Sequence, residues 1–192
     1  MNQRKLILSF IVILWLGIIS YGFSVLLDYE FKVNSKSTAI KSWPDNSQLK
    51  QDPRLDTLLI FVHPHCPCSR ASMAELDRLL TSFHQKLHTI VIFSKPAGKD
   101  DTWLKSDLWT KAQSLPGATI YVDDENKEAK LFMTNTSGEI LLFKNNGTLV
   151  YHGGITSSRG HEGDSHGKAL ISNYLKTGHV PGEEGQAFGC SL

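Results

Sequence analysis

The stretch Phe61-Val-His-Pro-His-Cys-Pro-Cys-Ser-Arg70 constrains this chain more than any other. Thr57 to Val62 is an apolar run of strand formers that leads into two cysteines one residue apart. An amphipathic pattern follows at once, with Met73, Leu76, Leu79, Leu80, Phe83 and Leu87 on one helical face. A strand that hands over to a helix here holds Cys66 at a sheet edge with the helix N-terminus beneath it. The partial positive charge of that terminus favours thiolate over thiol. Ser72-x-x-Glu75 has the form of a capping box, which would start the helix late. A helix that begins at the cysteines would instead leave Ser72 in its first turn.

Leu6 to Leu27 is an unbroken apolar run without a charged residue. About 20 such residues span a bilayer as a helix. A secretory signal has a shorter apolar region and a small-residue cleavage site, and Ser20-Tyr21-Gly22-Phe23-Ser24 is a poor one. An uncleaved anchor is therefore expected over residues 6–27, in contact with the bilayer. Arg4 and Lys5 precede it, while Asp28 and Glu30 follow. The positive-inside rule then puts residues 1–5 in the cytoplasm and everything after the anchor in the periplasm or outside the cell. The expected location is a single-pass protein of an inner or plasma membrane.

Residues 28–54 are polar and aperiodic and read as a tether, in which Trp43 either docks on the domain or is a lone loop aromatic. Residues 55–176 read as one domain. Its strands are expected at Leu58 to Val62, Thr89 to Phe93 and Thr119 to Val122, with a helix at Trp103 to Leu115 before the third strand and a short one at Glu125 to Phe132 after it. Asn145-Asn146-Gly147 between Ile140 to Phe143 and Leu149 to Tyr151 is a hairpin signal, and Lys168 to Leu175 is a last helix stopped near Gly178. This order is an α/β fold with one central sheet flanked by helices. Residues 177–192 form a tail that carries Cys190. A net charge of +1 and the lack of a basic stripe with interleaved aromatics exclude a nucleic-acid partner. Three cysteines leave at least one thiol free, transiently paired or metal-bound in an oxidising compartment.

This order, with Phe61 five residues before Cys66 and the Ile140 to Gly154 hairpin, resembles the thioredoxin-like superfamily, in particular its membrane-tethered TlpA and ResA types. The combination of His-Pro-His-Cys-Pro-Cys-Ser-Arg, Thr-Ser-Gly and Gly-Gly-Ile-Thr-x-Ser-Arg-Gly-His is similar to the small group labelled RedB. The resemblance implies a mixed sheet, thiol–disulfide exchange with a thiol or disulfide protein substrate and a redox partner, and no cofactor. It also implies substrate contacts at Pro67, Thr136, Ser137, Gly138 and Gly154. Two positions depart from the family pattern. Ser69 stands where the family has its second cysteine, and Gly138 where it has a cis-proline that positions extended substrates and keeps metals off the thiols.

Cys66 is the expected nucleophile and Cys68 the expected resolving thiol. A Cys-x-Cys disulfide closes a small strained ring and is easily reduced. Cys190 is open between a resolving role and a structural or intermolecular bridge. Arg159 and His161 are expected on a flap over Cys66, the first to stabilise a thiolate and the second to shuttle a proton. Asp164 or Ser165 would cap the last helix. The rival reading is a copper metallochaperone or sensor, with His63, His65, Cys66 and Cys68 holding Cu(I) or Zn(II). The activity expected ahead of it is that of a membrane-anchored extracytoplasmic thiol-disulfide oxidoreductase.

Overall fold

The computed structural model describes residues 3–32, 40–182 and 184–192. Two compact units are present, an N-terminal helix and an α/β domain. The helix, α1, runs Gln3–Phe31 and is apolar all round with no buried residue. It is long and apolar enough to cross a bilayer. It also takes in residues 28–31, which were expected to belong to a tether.

The domain is one five-stranded sheet in the order β3-β2-β1-β4-β5. β1 (Asp56–Val62), β2 (Leu87–Lys95) and β3 (Ala118–Asp124) run parallel. β4 (Glu139–Phe143) pairs antiparallel with β1, and β5 (Leu149–Gly153) antiparallel with β4. The helices are α2 (Ser69–Phe83), α3 (Asp107–Gln113), α4 (Lys127–Leu131) and α5 (His166–Thr177).

β1 is apolar from Leu58 to Val62 because both of its faces are covered there, as in a central strand. Alternate side chains enter two cores. Leu58, Ile60 and Val62 pack with Met73, Leu76 and Leu80 of α2 and Ile171 of α5. Leu59 and Phe61 pack with Phe132, Leu141 and Phe143 on the other face. That second face is closed by residues 40–54. Trp43 meets Phe132 and Phe143 edge-on at centroid distances of 5.0 and 5.1 Å, and its N–H donates to Gly147 O at 2.9 Å. Ser47 Oγ and Gln48 N donate to the Glu128 carboxylate. The docking alternative for Trp43 is the one observed, while residues 33–39 of the expected tether lie outside the described residues.

Two boundaries differ from expectation for local reasons. The helix expected over Trp103 to Leu115 is broken: a 3-10 turn at Asp101–Leu104 is followed by α3, because the Ser106 hydroxyl accepts from Trp109 N and starts a new helix. α2 starts at Ser69, directly after the cysteines, so Ser72 and Glu75 are not a capping box. Glu75 is buried and makes tertiary contacts instead. It accepts from Lys168 Nζ at 2.8 Å and Gly163 N at 2.7 Å and pairs with Arg78, which ties α2 to the loop between β5 and α5.

Candidate functional site

β1 ends at Val62, and the chain turns at once, with Cys66 N donating to His63 O at 3.0 Å. Ser69 N then donates to Cys66 O at 3.2 Å, so the winding that becomes α2 begins at Cys66. Cys66 is 1% exposed. Its sulfur lies 2.8 Å from Cys190 Sγ, 124 residues away in sequence. The Cys190 N–H also donates to Cys66 Sγ at 3.3 Å.

Burial pushes the Cys66 thiol up. Hydrogen bonds from the Cys190 thiol, the Ser69 hydroxyl and the Cys190 and Ser69 amides outweigh it, and the net shift is downward. Cys190 moves the other way, to about 12, through burial and then its hydrogen bond and proximity to Cys66. The two thiols are thus shifted in opposite directions, with thiolate favoured at Cys66 and thiol at Cys190.

The sulfur that meets Cys66 is that of Cys190, although the sequence pattern puts Cys68 first. Cys68 stands at the N-cap of α2 with helical backbone angles. Cys68 is buried, and its thiol is raised by that burial and by the charge of and a hydrogen bond with Cys66, with Arg159 pulling it down.

The wall opposite α2 is the loop that enters β4. Ser137 Oγ accepts from His63 N at 2.7 Å and lies 2.6 Å from Ser69 Oγ. Ser69 thus links Cys66 to this loop. Gly138 donates its N–H to Phe61 O at 2.7 Å, a bond that a proline has no N–H to make. It has φ +90°, and a Cβ there would press on Ser72 Oγ at 2.7 Å. Thr136 and Asn135 both donate their N–H groups to Glu139 Oε2 at 3.1 Å. Glu139 Oε1 in turn lies 2.5 Å from His152 Nε2 in the buried interior. Nothing in the sequence marked this Glu139–His152 pair, since its members are far apart in local pattern and meet only across the β4–β5 ladder.

The other expected site residues are divided. Arg159 reaches the site, donating from Nη1 to Gly189 O at 2.7 Å. His161 is on the exposed part of the same loop, where its N–H donates to Ser158 O at 3.4 Å. Asp164 pairs with Lys168 at 3.3 Å, and the cap of α5 is Ser165, which accepts from Lys168 N. Gly154 donates its N–H to Gln186 O at 3.2 Å, beside the tail. Pro67 is exposed between the two cysteines. His63 and His65 both stack edge-on against Trp103, at 5.4 and 4.6 Å, and His63 Nδ1 accepts from His65 N at 3.2 Å. Burial and the neighbouring His65 hold the His63 pKa below its usual value. Among the described residues no group of three or more His, Cys, Asp or Glu side chains is arranged to hold a metal ion.

No family model matches the chain, and no curated protein matches it. Solved structures do. One is an uncharacterized conserved protein from Geobacillus kaustophilus, at 20% identity and a TM-score of 0.61, covering 84% of this chain and 92% of that one. Another is a hypothetical protein from Sinorhizobium meliloti 1021, at 17% identity and a TM-score of 0.59, covering 84% of this chain and 94% of that one. The fold is thioredoxin-like. In a thioredoxin-like fold, the end of β1, the start of α2 and the loop into β4 converge at one end of the sheet, and Cys66, Ser69 and Ser137 stand at that convergence here.

Proposed function

We propose that this protein is a membrane-anchored thiol–disulfide oxidoreductase that works outside the cytoplasm through a Cys66–Cys190 couple. The observation that carries the reading is the 2.8 Å approach of the two sulfurs, with the lowered pKa on Cys66 and the raised one on Cys190. A thiolate poised against a protonated thiol is the reduced half of a disulfide couple.

In the reducing direction the Cys66 thiolate attacks one sulfur of a substrate disulfide. A Cys66–substrate disulfide forms, and the other substrate sulfur leaves as a thiolate and takes up a proton. Cys190, once deprotonated, attacks Cys66 Sγ, forms the Cys66–Cys190 disulfide and releases the second substrate thiol. The substrate gains two electrons and the protein loses two. The reverse sequence donates a disulfide to a dithiol. Cys66 leaves readily from such a disulfide because its thiolate is the better stabilised of the two. Arg159 holds the chain segment that carries Cys190. The apolar α1, with Arg4 and Lys5 before it and Asp28 and Glu30 after it, supports an anchor whose N-terminus faces the cytoplasm.

The test is a redox titration of the full-length protein in detergent, in glutathione buffers, read by alkylation and mass spectrometry. A reversible Cys66–Cys190 disulfide is expected, retained in Cys68→Ser and lost in Cys66→Ser and in Cys190→Ser. A couple that survives Cys190→Ser but not Cys68→Ser would return the resolving role to Cys68. Stoichiometric Cu(I) binding that falls when His63 or His65 is replaced, with no disulfide formed at any potential, would favour metal handling.

A further inference from the structure

Residues 185–192, without a regular element of their own, lie extended against the domain and are tied to it by backbone hydrogen bonds at both ends. Gly185 N donates to His152 O at 2.9 Å, Ser137 N to Cys190 O at 2.8 Å and Leu192 N to Asn135 O at 3.0 Å. Thr136 and Ser191 form an antiparallel bridge. Ala187 and Phe188 are buried. Gly189 is pressed so closely on the loop before β4 that a Cβ would overlap the Ser137 carbonyl oxygen. The segment thus has backbone pairing, a buried aromatic, a glycine at the tightest point and then a cysteine on the reactive sulfur.

This arrangement conflicts with catalysis on any external disulfide. Exchange needs the incoming sulfur in contact with Cys66 Sγ, and that place is taken by Cys190, which with the surrounding groups leaves Cys66 1% exposed. The groove must therefore be vacated during turnover. Its present occupant describes the chemistry that fits it.

We propose that residues 185–192 are a displaceable strap that fills the docking groove of an extended, cysteine-bearing peptide, and that strap and peptide compete for it. The proposal rests on the thiol–disulfide reading above and adds the substrate class and its control. The favoured peptide pairs its backbone with Asn135 to Ser137, carries a glycine immediately before its cysteine and places an apolar side chain before that glycine, as Phe188 stands before Gly189 and Cys190. Opening frees the Cys66 thiolate, which attacks the peptide's disulfide and expels its partner sulfur as a thiolate that takes up a proton from solvent. As the strap returns, the Cys190 thiolate displaces the peptide sulfur from Cys66 and its proton passes to the departing peptide thiolate. Reclosure and product release are then one event.

The test uses the reduced full-length protein in detergent, with Cys66 alkylation by iodoacetamide followed by mass spectrometry. Gly189→Val, which cannot seat against Ser137, is expected to raise the Cys66 alkylation rate at least tenfold. Adding the peptide acetyl-Gln-Ala-Phe-Gly-Ser-Ser-Leu, which has no thiol, is expected to slow that variant again. An unchanged rate in a folded Gly189→Val, or no protection by the peptide, overturns the strap. If that variant does not fold, amide exchange in the unchanged protein decides: Ser137 N–H should exchange by local opening, well before Gly138 N–H, which is bonded to Phe61 O within the sheet. Exchange of both only through global unfolding overturns the proposal. Loss of all Cys66–Cys190 exchange with glutathione would instead overturn the oxidoreductase reading, and the two failures are separately visible.

Discussion

Cys66 is buried against its chemistry and hydrogen-bonded for it. Burial raises the pKa of any thiol, and the four donors from Cys190 and Ser69 reverse that. The reactive form is the deprotonated one, so a lowered pKa extends reactivity to lower pH. Cys66 alkylation should fall, as pH is lowered, through a midpoint below the ordinary thiol value of about 8.5. Ser69→Ala removes one donor to the thiolate. It should move that midpoint upward and slow alkylation at neutral pH about fivefold, the worth of a hydrogen bond of about 1 kcal/mol. A midpoint that stays in place when alkylation is followed against pH would show that Ser69 serves only to hold Ser137. The sequence displayed Ser69 as a missing cysteine. Its role became visible only when the fold put its hydroxyl between Cys66 and Ser137, 2.6 Å from the latter.

Among the elements, the segment before β1 is the one whose role local pattern concealed. Residues 40–54 have no helical or strand period, because they are held by single contacts at irregular spacing: Trp43 on Phe132 and Phe143, Ser47 and Gln48 on Glu128, and Gln51 Nε2 on Lys144 O at 3.1 Å. Trp43 is half-buried and closes the core on the face of the sheet away from α2 and α5. Trp43→Ala is expected to destabilise the domain by about 2 kcal/mol, below the cost of emptying a fully buried site. Urea melts of the full-length protein in detergent measure it. A loss under about 0.5 kcal/mol, the range of ordinary surface changes, would mean that the segment only rests on the domain. The long elements were readable in advance because their periods are sustained. β1, β2 and α2 fell where apolar spacing put them, within a few residues at their ends. The break at Ser106 was not anticipated, since one side-chain cap decided it.

At the scale of the whole molecule, the chain is a long apolar helix and an α/β domain. The bilayer reading predicts that the full-length protein stays with the membrane fraction after carbonate extraction, and that protease added to spheroplasts or cells digests the domain. Release by carbonate would argue against a spanning helix; protection of the domain would invert the orientation.

The strand, the turn with its cysteines, the helix after it and the membrane-length run follow from neighbouring residues alone. Each is set by local propensity, apolar period and length, which act within one or two turns of chain. The approach of Cys190 to Cys66 follows from nothing local. Cys68, two residues away, is buried at the N-cap of α2 and feels Cys66 through charge and a hydrogen bond. Cys190 is 124 residues away and arrives because a glycine fits under Ser137, Arg159 holds Gly189 O, and the backbones of 135–137 and 190–192 pair. Those contacts join segments whose proximity exists only once the sheet has formed, and so the tertiary structure, not the motif, brought the Cys190 sulfur to Cys66.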